Sequence, residues 1–334
     1  MNNSITDVPG IRVGHAHDVE AVTGCTVILA DSADGPGAVG GVDQRGGAPG
    51  TRQIDALHPV HLVQKAHAIV LAGGSAFGLD AATGVAQWLE ERGIGFDVRV
   101  AKVPIVPAAI LFDLAIGRAD VRPDAAMGYR ACETASAERP AEGNVGAGLG
   151  CTVGKILGPA HGMKSGIGTA SVDLGNGLIV GAIVAVNAFG DVIDPENGQI
   201  LAGAHNPAGP GFANTLAVMK QSAAEGNLLF ARRPPPQESG HTVIGVIATN
   251  ARLDKERTNK VAQMAHDGLA RTIRPAHTML DGDTLFALAT GFIPADVNII
   301  GAFAAEVTAQ AILNGVRAAE SVAGWPAIST QEDR

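Results

Sequence analysis

Apolar residues recur along this chain with two different periods, and each change of period marks a predicted element. β-branched runs at 11–13 and 26–30 predict two early strands, and the Gly- and Asp-rich stretch 31–51 that follows reads as a loop. Residues 68–72 (AIVLA) make an unbroken apolar run of strand length. A Gly-Gly-Ser turn then starts at Gly73, and from 79 to 92 the apolar spacing is that of a helix. Glycine crowds residues 141–154. Beyond it, 169–172 and 178–186 are near-continuous apolar strands, as expected where a sheet is covered on both faces.

The texture changes sharply at 231–240 (ARRPPPQESG), a polar, proline-rich segment that fits neither a helix nor a central strand and reads as an exposed connector. Directly after it, 242–248 (TVIGVIA) is dense in β-branched residues and predicts a strand. Residues 254–274 predict a helix that starts acidic, ends basic and stops at Pro275. A strand at 285–289 and a mostly helical stretch at 297–322 complete a β-α-β-α order, which points to an α/β protein with sheets between helix layers.

Composition narrows this picture. A chain of 334 residues, 46% of them hydrophobic, can bury a sizeable core, but with 4% aromatics and 44 glycines that core must rest on Ala, Val, Ile and Leu. The net charge of −9 and the scattered Arg and Lys argue against nucleic-acid binding. The opening MNNSITDVPG lacks the features of a signal peptide, and the longest apolar stretch, 178–186, is too short to span a bilayer. A cytoplasmic protein without a membrane partner is expected. Cys25, Cys132 and Cys151 lie far apart without a CxxC pair, so they are expected to be reduced and to form neither a disulfide framework nor a zinc site.

The candidate chemistry centres on Thr242. A Thr on the first residue of a buried strand, just after a severable connector, suits an N-terminal nucleophile. Its hydroxyl would attack the carbonyl of His241, and the freed α-amine, with a typical pKa of about 7.7, can then activate that hydroxyl. By itself the position also fits the ordinary β-propensity of Thr. Asp281 and Asp283 flank Gly282 before the next strand; they can orient a hydroxyl or an amine, and crowding should raise one pKa, although the same sequence suits a plain turn. Lys155 stands among apolar residues, where desolvation would lower its pKa unless it reaches the surface. Asn187 ends an apolar strand, where it can serve an oxyanion or simply form a turn.

Several motifs in one order weigh on these alternatives: Ile5–Thr6–Asp7–Val8–Pro9–Gly10 leading to His15, Gly46–Gly47–Ala48–Pro49–Gly50–Thr51, Leu71–Ala72–Gly73–Gly74–Ser75–Ala76–Phe77–Gly78–Leu79, Val145–Gly146–Ala147–Gly148 leading to Lys155, Thr242 with its strand, and His277–Thr278 through Phe286. In these the chain resembles, over nearly its whole length, the L-aminopeptidase/D-esterase family, which includes β-aminopeptidases and nylon-oligomer hydrolases. The resemblance implies a single αββα four-layer sandwich of the α/β (α+β) class. It implies one precursor, cut at His241–Thr242 into an α fragment (1–241) and a β fragment (242–334). Matched by position, Thr242 is the nucleophile, Lys155 the active-site lysine, Asn187 the oxyanion asparagine, and Asp281 and Asp283 the acidic pair near the nucleophile's amine. The pattern is closest to the nylon-oligomer hydrolases; aminopeptidase members use Ser as nucleophile and Ser-x-Glu at the acidic pair. No metal or organic cofactor is implied, and the partners are a small peptide, amide or ester substrate and further copies of the chain, as a homo-oligomer (tetramer of αβ units). Short α- or β-aminopeptides, amino-acid amides and esters, pantetheine-like amides and ω-amino acid oligomers all remain open.

Two departures stand out. His241, with a bulky titratable ring, stands where Asn or Gly is usual, and Phe112 stands where several members place a Tyr that helps bind the oxyanion. Other readings fit fragments of the chain. His15, His17, His58 and His61 have metal-ligand spacings, as in a metal-dependent amidohydrolase, but the repeats of a (β/α)8 barrel are missing. The glycine runs match neither GxGxxG nor GxxxxGK[ST], and Phe77 breaks a GxSxG elbow at Ser75. A catalytically silent, unprocessed family member that only binds a ligand is the remaining alternative.

Overall fold

The computed structural model describes residues 1–227 and 240–330. Its first half supplies strands β1 (Ile11–Asp18), β2 (Thr23–Ser32), β3 (Ala38–Gln44) and β4 (Ala68–Ala72), helix α1 (Ala81–Glu90), strand β5 (Ala108–Ile110) and helix α2 (Ala125–Glu133). Its second half supplies β6 (Ile167–Asp173), β7 (Ile179–Asn187), α3 (Thr215–Ala224), β8 (Thr242–Arg252), α4 (Lys255–Thr272), β9 (Thr284–Pro294) and α5 (Val297–Arg317).

Two sheets result. One runs β1-β2-β4-β5 and closes on the short strand Thr51–Arg52; the other runs β6-β7-β8-β9-β3 and closes on Lys65–Ala66. Three buried clusters show how they stack. Val27, Val70 and Ala72 of the first sheet pack on Ala82 and Val85 of α1 and Met127 of α2. The opposite face of that sheet, with Ile28 and Ile69, meets Ile183, Ile244 and Phe286 of the second sheet. Val184, Ile247 and Leu285 on the far side of the second sheet lie under Ala262 and Leu269 of α4 and Ala304 and Ile312 of α5. Each apolar face is removed from water by the next layer, which gives αββα. β8 reads as one apolar run because both of its faces are covered: Ile244, Val246 and Ala248 point toward the first sheet, Val243 and Ile247 toward the helices.

The structure corrects the sequence reading in places. The stretch 31–51 is not all loop, since it contains β3, paired with β9 in the second sheet. Its composition reflects helix packing: a Cβ at Gly41 would stand 2.5 Å from the Asn259 backbone nitrogen, so only glycine lets α4 come this close. The first strands are longer than the β-branched runs, the turn after Gly74 is a 3-10 helix (Ser75–Asp80) preceding α1, and α5 ends at Arg317 rather than near 322. By length and composition α5 is apolar enough to cross a bilayer (mean hydropathy 1.4), but 67% of that stretch is buried in the protein core. Of the proline-rich segment 231–240, residues 231–239 lie outside the described residues.

Candidate active site

Strand direction assembles the site. β7 is antiparallel to β8, with Asn187 opposite Thr242, and β8 is parallel to β9, with Ile244 opposite Thr284. The last residue of β7 and the first residues of β8 and β9 therefore share one end of the sheet. Lys155 is brought to the same end by its own N–H, which donates to the Phe189 carbonyl at 3.0 Å just beyond β7. The five residues singled out from the sequence thus converge. Asn187, Thr242, Asp281 and Asp283 are buried, and Lys155 is half-buried.

The Thr242 hydroxyl donates to the His241 carbonyl at 2.5 Å. Asn187 is the hub beside it. Its Oδ1 accepts from the Lys155 ammonium at 2.8 Å and from the Thr152 N–H at 3.1 Å, while its Nδ2 donates to the carbonyls of Phe112 (2.9 Å) and Gly240 (3.4 Å). Lys155 Nζ also reaches the Asn187 carbonyl at 3.3 Å. Burial pushes the Lys155 pKa down to about 7, although the nearby Cys151 and Asp281 act in the opposite direction. An amine poised there exchanges its proton near neutrality.

The two carboxylates are held differently. Asp281 accepts from the Thr278 N–H (2.9 Å) and hydroxyl (2.6 Å) through Oδ2, and from the Phe189 N–H (3.3 Å) through Oδ1. Burial first, and the neighbouring Asp283 second, raise its pKa above the usual carboxylate range. Asp283 accepts the Val243 N–H at 2.8 Å through Oδ1, which ties it to the residue after Thr242; its Oδ2 accepts the His277 N–H at 3.1 Å and lies 2.8 Å from His277 Nδ1.

His241 departs from its expected behaviour. Its ring is buried, 5.1 Å from that of Phe189, and burial followed by the Lys155 charge drives its pKa down to about 2. The ring is therefore neutral through the ordinary pH range and acts there as bulk, not as a titrating group. Phe112 lines a small cavity of about 30 Å³ together with Asp113, Thr152, Lys155, Gly240 and Trp325, so a void opens beside Lys155 and the residue two before Thr242.

The other singled-out residues lie elsewhere or are engaged. His15 Nδ1 is 2.9 Å from the Thr26 hydroxyl, His17 Nδ1 accepts the Gly146 N–H at 3.4 Å, and the His58 and His61 rings stand edge to face 6.1 Å apart. Among the described residues no group of three His, Cys, Asp or Glu could hold a metal ion. Cys25, Cys132 and Cys151 are free and buried, and burial pushes each thiol up to about 12. Sequence reasoning missed Gly282, whose N–H donates to the His241 carbonyl at 2.8 Å, and it gave no role to Thr278 or His277, the partners of the acidic pair. For Thr278 a signal existed, because Thr-x-x-Asp is a turn-forming spacing.

These layers, with a buried hydroxyl on an amide carbonyl beside an asparagine, a lysine and two carboxylates, suit a hydrolase of peptide or amide bonds, the class to which the chain's relatives belong. The chain belongs to peptidase family S58, whose model matches residues 3–328. It is 43% identical to an uncharacterized aminopeptidase of Mycobacterium leprae, over 97% of this chain and 92% of that protein. It is 32% identical to a 6-aminohexanoate-oligomer endohydrolase of Kocuria, over 93% of this chain and 85% of that protein. Among solved structures, a Burkholderia β-aminopeptidase superposes with a TM-score of 0.70 at 23% identity, covering 100% of this chain and 93% of that one. The L-aminopeptidase D-Ala-esterase/amidase of Ochrobactrum anthropi, described as a variant of the Ntn hydrolase fold, gives a TM-score of 0.67 at 20% identity, covering 95% and 86%. These last two likenesses establish the fold.

Proposed function

We propose that the chain cuts itself between His241 and Thr242, and that Thr242 then hydrolyses amide bonds of small substrates as an N-terminal nucleophile. The observation that carries this reading is the Thr242 hydroxyl at 2.5 Å from the carbonyl oxygen of its own preceding residue, at the buried start of a strand. In the cut protein the α-amine of Thr242 takes the hydroxyl proton, Oγ attacks the substrate carbonyl, and the Asn187 amide stabilises the oxyanion. Water then resolves the acyl-enzyme. Lys155, on Asn187 Oδ1, sets the charge beside the hydroxyl, and Asp281 and Asp283 hold the amine end of β8 through the loop that carries them.

Short aminoacyl peptides or amides and ω-amino acid oligomers are the proposed substrates, in keeping with the aminopeptidase and 6-aminohexanoate-oligomer endohydrolase among the relatives. The cut protein would consist of fragments 1–241 and 242–334 and assemble as a homo-oligomer. Ile299 and Phe303, exposed one helical turn apart on α5, support an assembly face. Denaturing electrophoresis with intact-mass analysis tests the proposal: the parent protein gives the two fragments, whereas Thr242→Ala stays whole, folded and inactive. A Thr242→Ala chain that still splits after His241 would overturn the assignment.

A further inference from the structure

Building on the self-processing reading, we propose that maturation and substrate hydrolysis use different oxyanion donors: the backbone N–H of Gly282 serves the cut, and the side-chain amide of Asn187 is held back for substrates. The Gly282 N–H already donates to the His241 carbonyl oxygen at 2.8 Å, within the range of a preorganised oxyanion donor, and the Thr242 hydroxyl lies on the same oxygen. Both donors of Asn187 Nδ2 are directed elsewhere, to the carbonyls of Phe112 and Gly240. Gly240 belongs to the segment that ends at the cut, so release of that end frees one Asn187 donor for a substrate.

The loop carrying Gly282 is pinned on both sides. The Asp281 carbonyl accepts the Ala48 N–H at 2.8 Å and the Asp283 carbonyl accepts the Arg45 N–H at 3.0 Å, while the two carboxylates hold Thr278, Phe189, Val243 and His277. A side chain at 282 is excluded, because its Cβ would stand 2.6 Å from the Ala48 carbonyl oxygen and 2.8 Å from Thr242 Oγ. The acidic pair therefore doubles as the clamp that aims this N–H.

The chemistry balances without a co-reactant other than water. Thr242 Oγ bonds to the His241 carbonyl carbon, and negative charge develops on the oxygen facing Gly282. The C–N bond to Thr242 breaks as the hydroxyl proton passes to the leaving nitrogen, which leaves an ester and a free amine. Water then adds its hydroxyl to the His241 carbon and returns its proton to Oγ.

The test replaces only the donor. Cell-free synthesis with a suppressor tRNA carrying glycolic acid converts the N–H at 282 to an ester oxygen, and the rate of the cut at 241 is followed by intact mass, which distinguishes it from hydrolysis of the new ester at 281. Loss of one oxyanion donor should slow the cut ~100-fold. Asn187→Asp, which keeps the acceptors for Lys155 and Thr152 but removes the donors, should slow the cut less than ~10-fold and lower turnover per cut molecule ~100-fold or more. An ester variant that cuts at the parent rate, or an Asn187→Asp chain that cuts as slowly as the ester variant, overturns the division of donors. Cleavage of Thr242→Ala after His241 would instead defeat the self-processing reading beneath it.

Discussion

Lys155 and Lys164 belong to one short hairpin, Lys155 in its connection and Lys164 in its second strand opposite Thr152, and burial lowers the pKa of both. Lys164 is wholly enclosed; its ammonium donates to the carbonyls of Gly148 and Ser165, and its pKa falls to about 8. Lys155 falls to about 7 and donates to the side chain of Asn187, the strand partner of Thr242. A depressed lysine pKa thus marks burial. What the ammonium touches separates a group beside the proposed nucleophile from one that ties loops together.

Four experiments would break or sharpen that contrast. The largest effect is expected for Lys155→Met: turnover should fall ~10²–10³-fold while the melting temperature stays near that of the parent, checked by steady-state kinetics and thermal melting. Next, Lys164→Met leaves two buried carbonyls without a donor and should cost about 2 kcal/mol, read as a melting temperature ~2–4 °C lower. Turnover per folded molecule should change by less than about two-fold, and a loss comparable to that of Lys155→Met would erase the distinction.

The third test uses pH. The folded pKa of Lys155 lies below its ordinary value of 10.5, so between about 7 and 10.5 the unfolded chain binds more protons and stability should rise with pH. Denaturant unfolding of Thr242→Ala at pH 7 and 9 should show this rise, up to ~1.4 kcal/mol per pH unit, and adding Lys155→Met should remove that contribution. The smallest effect is expected for Phe112→Tyr. It places a hydroxyl at the cavity shared with Lys155 and Gly240, and turnover should increase ~2–5-fold if that hydroxyl reaches the oxyanion; an unchanged rate would leave Asn187 as the side-chain donor.

Much of the scaffold was legible because its signals are local. The apolar run at 242–248 and the charge gradient along α4 lie within the elements they define. β3 was not, since Gly41 is there to admit α4, a helix far along the chain. The same division holds in the site. Thr242, Lys155, Asn187 and the acidic pair carry side-chain chemistry in a recognisable order, and the structure gathers them. The neutrality of His241 depends on enclosure beside Phe189 and Lys155, and the contact made by Gly282 belongs to a backbone N–H, which every residue but proline possesses.

In the second sheet β8 and β9 lie between β7 and β3, so the two strands after residue 242 are seamed on either side to strands that precede it. A chain severed at 241 would thus be two interlocked pieces with one melting transition. Their separation would be equivalent to unfolding, and recovery from denaturant would become bimolecular, with a yield that falls on dilution. The uncut Thr242→Ala chain would refold independently of concentration, so maturation would exchange a reversible fold for a kinetically committed one.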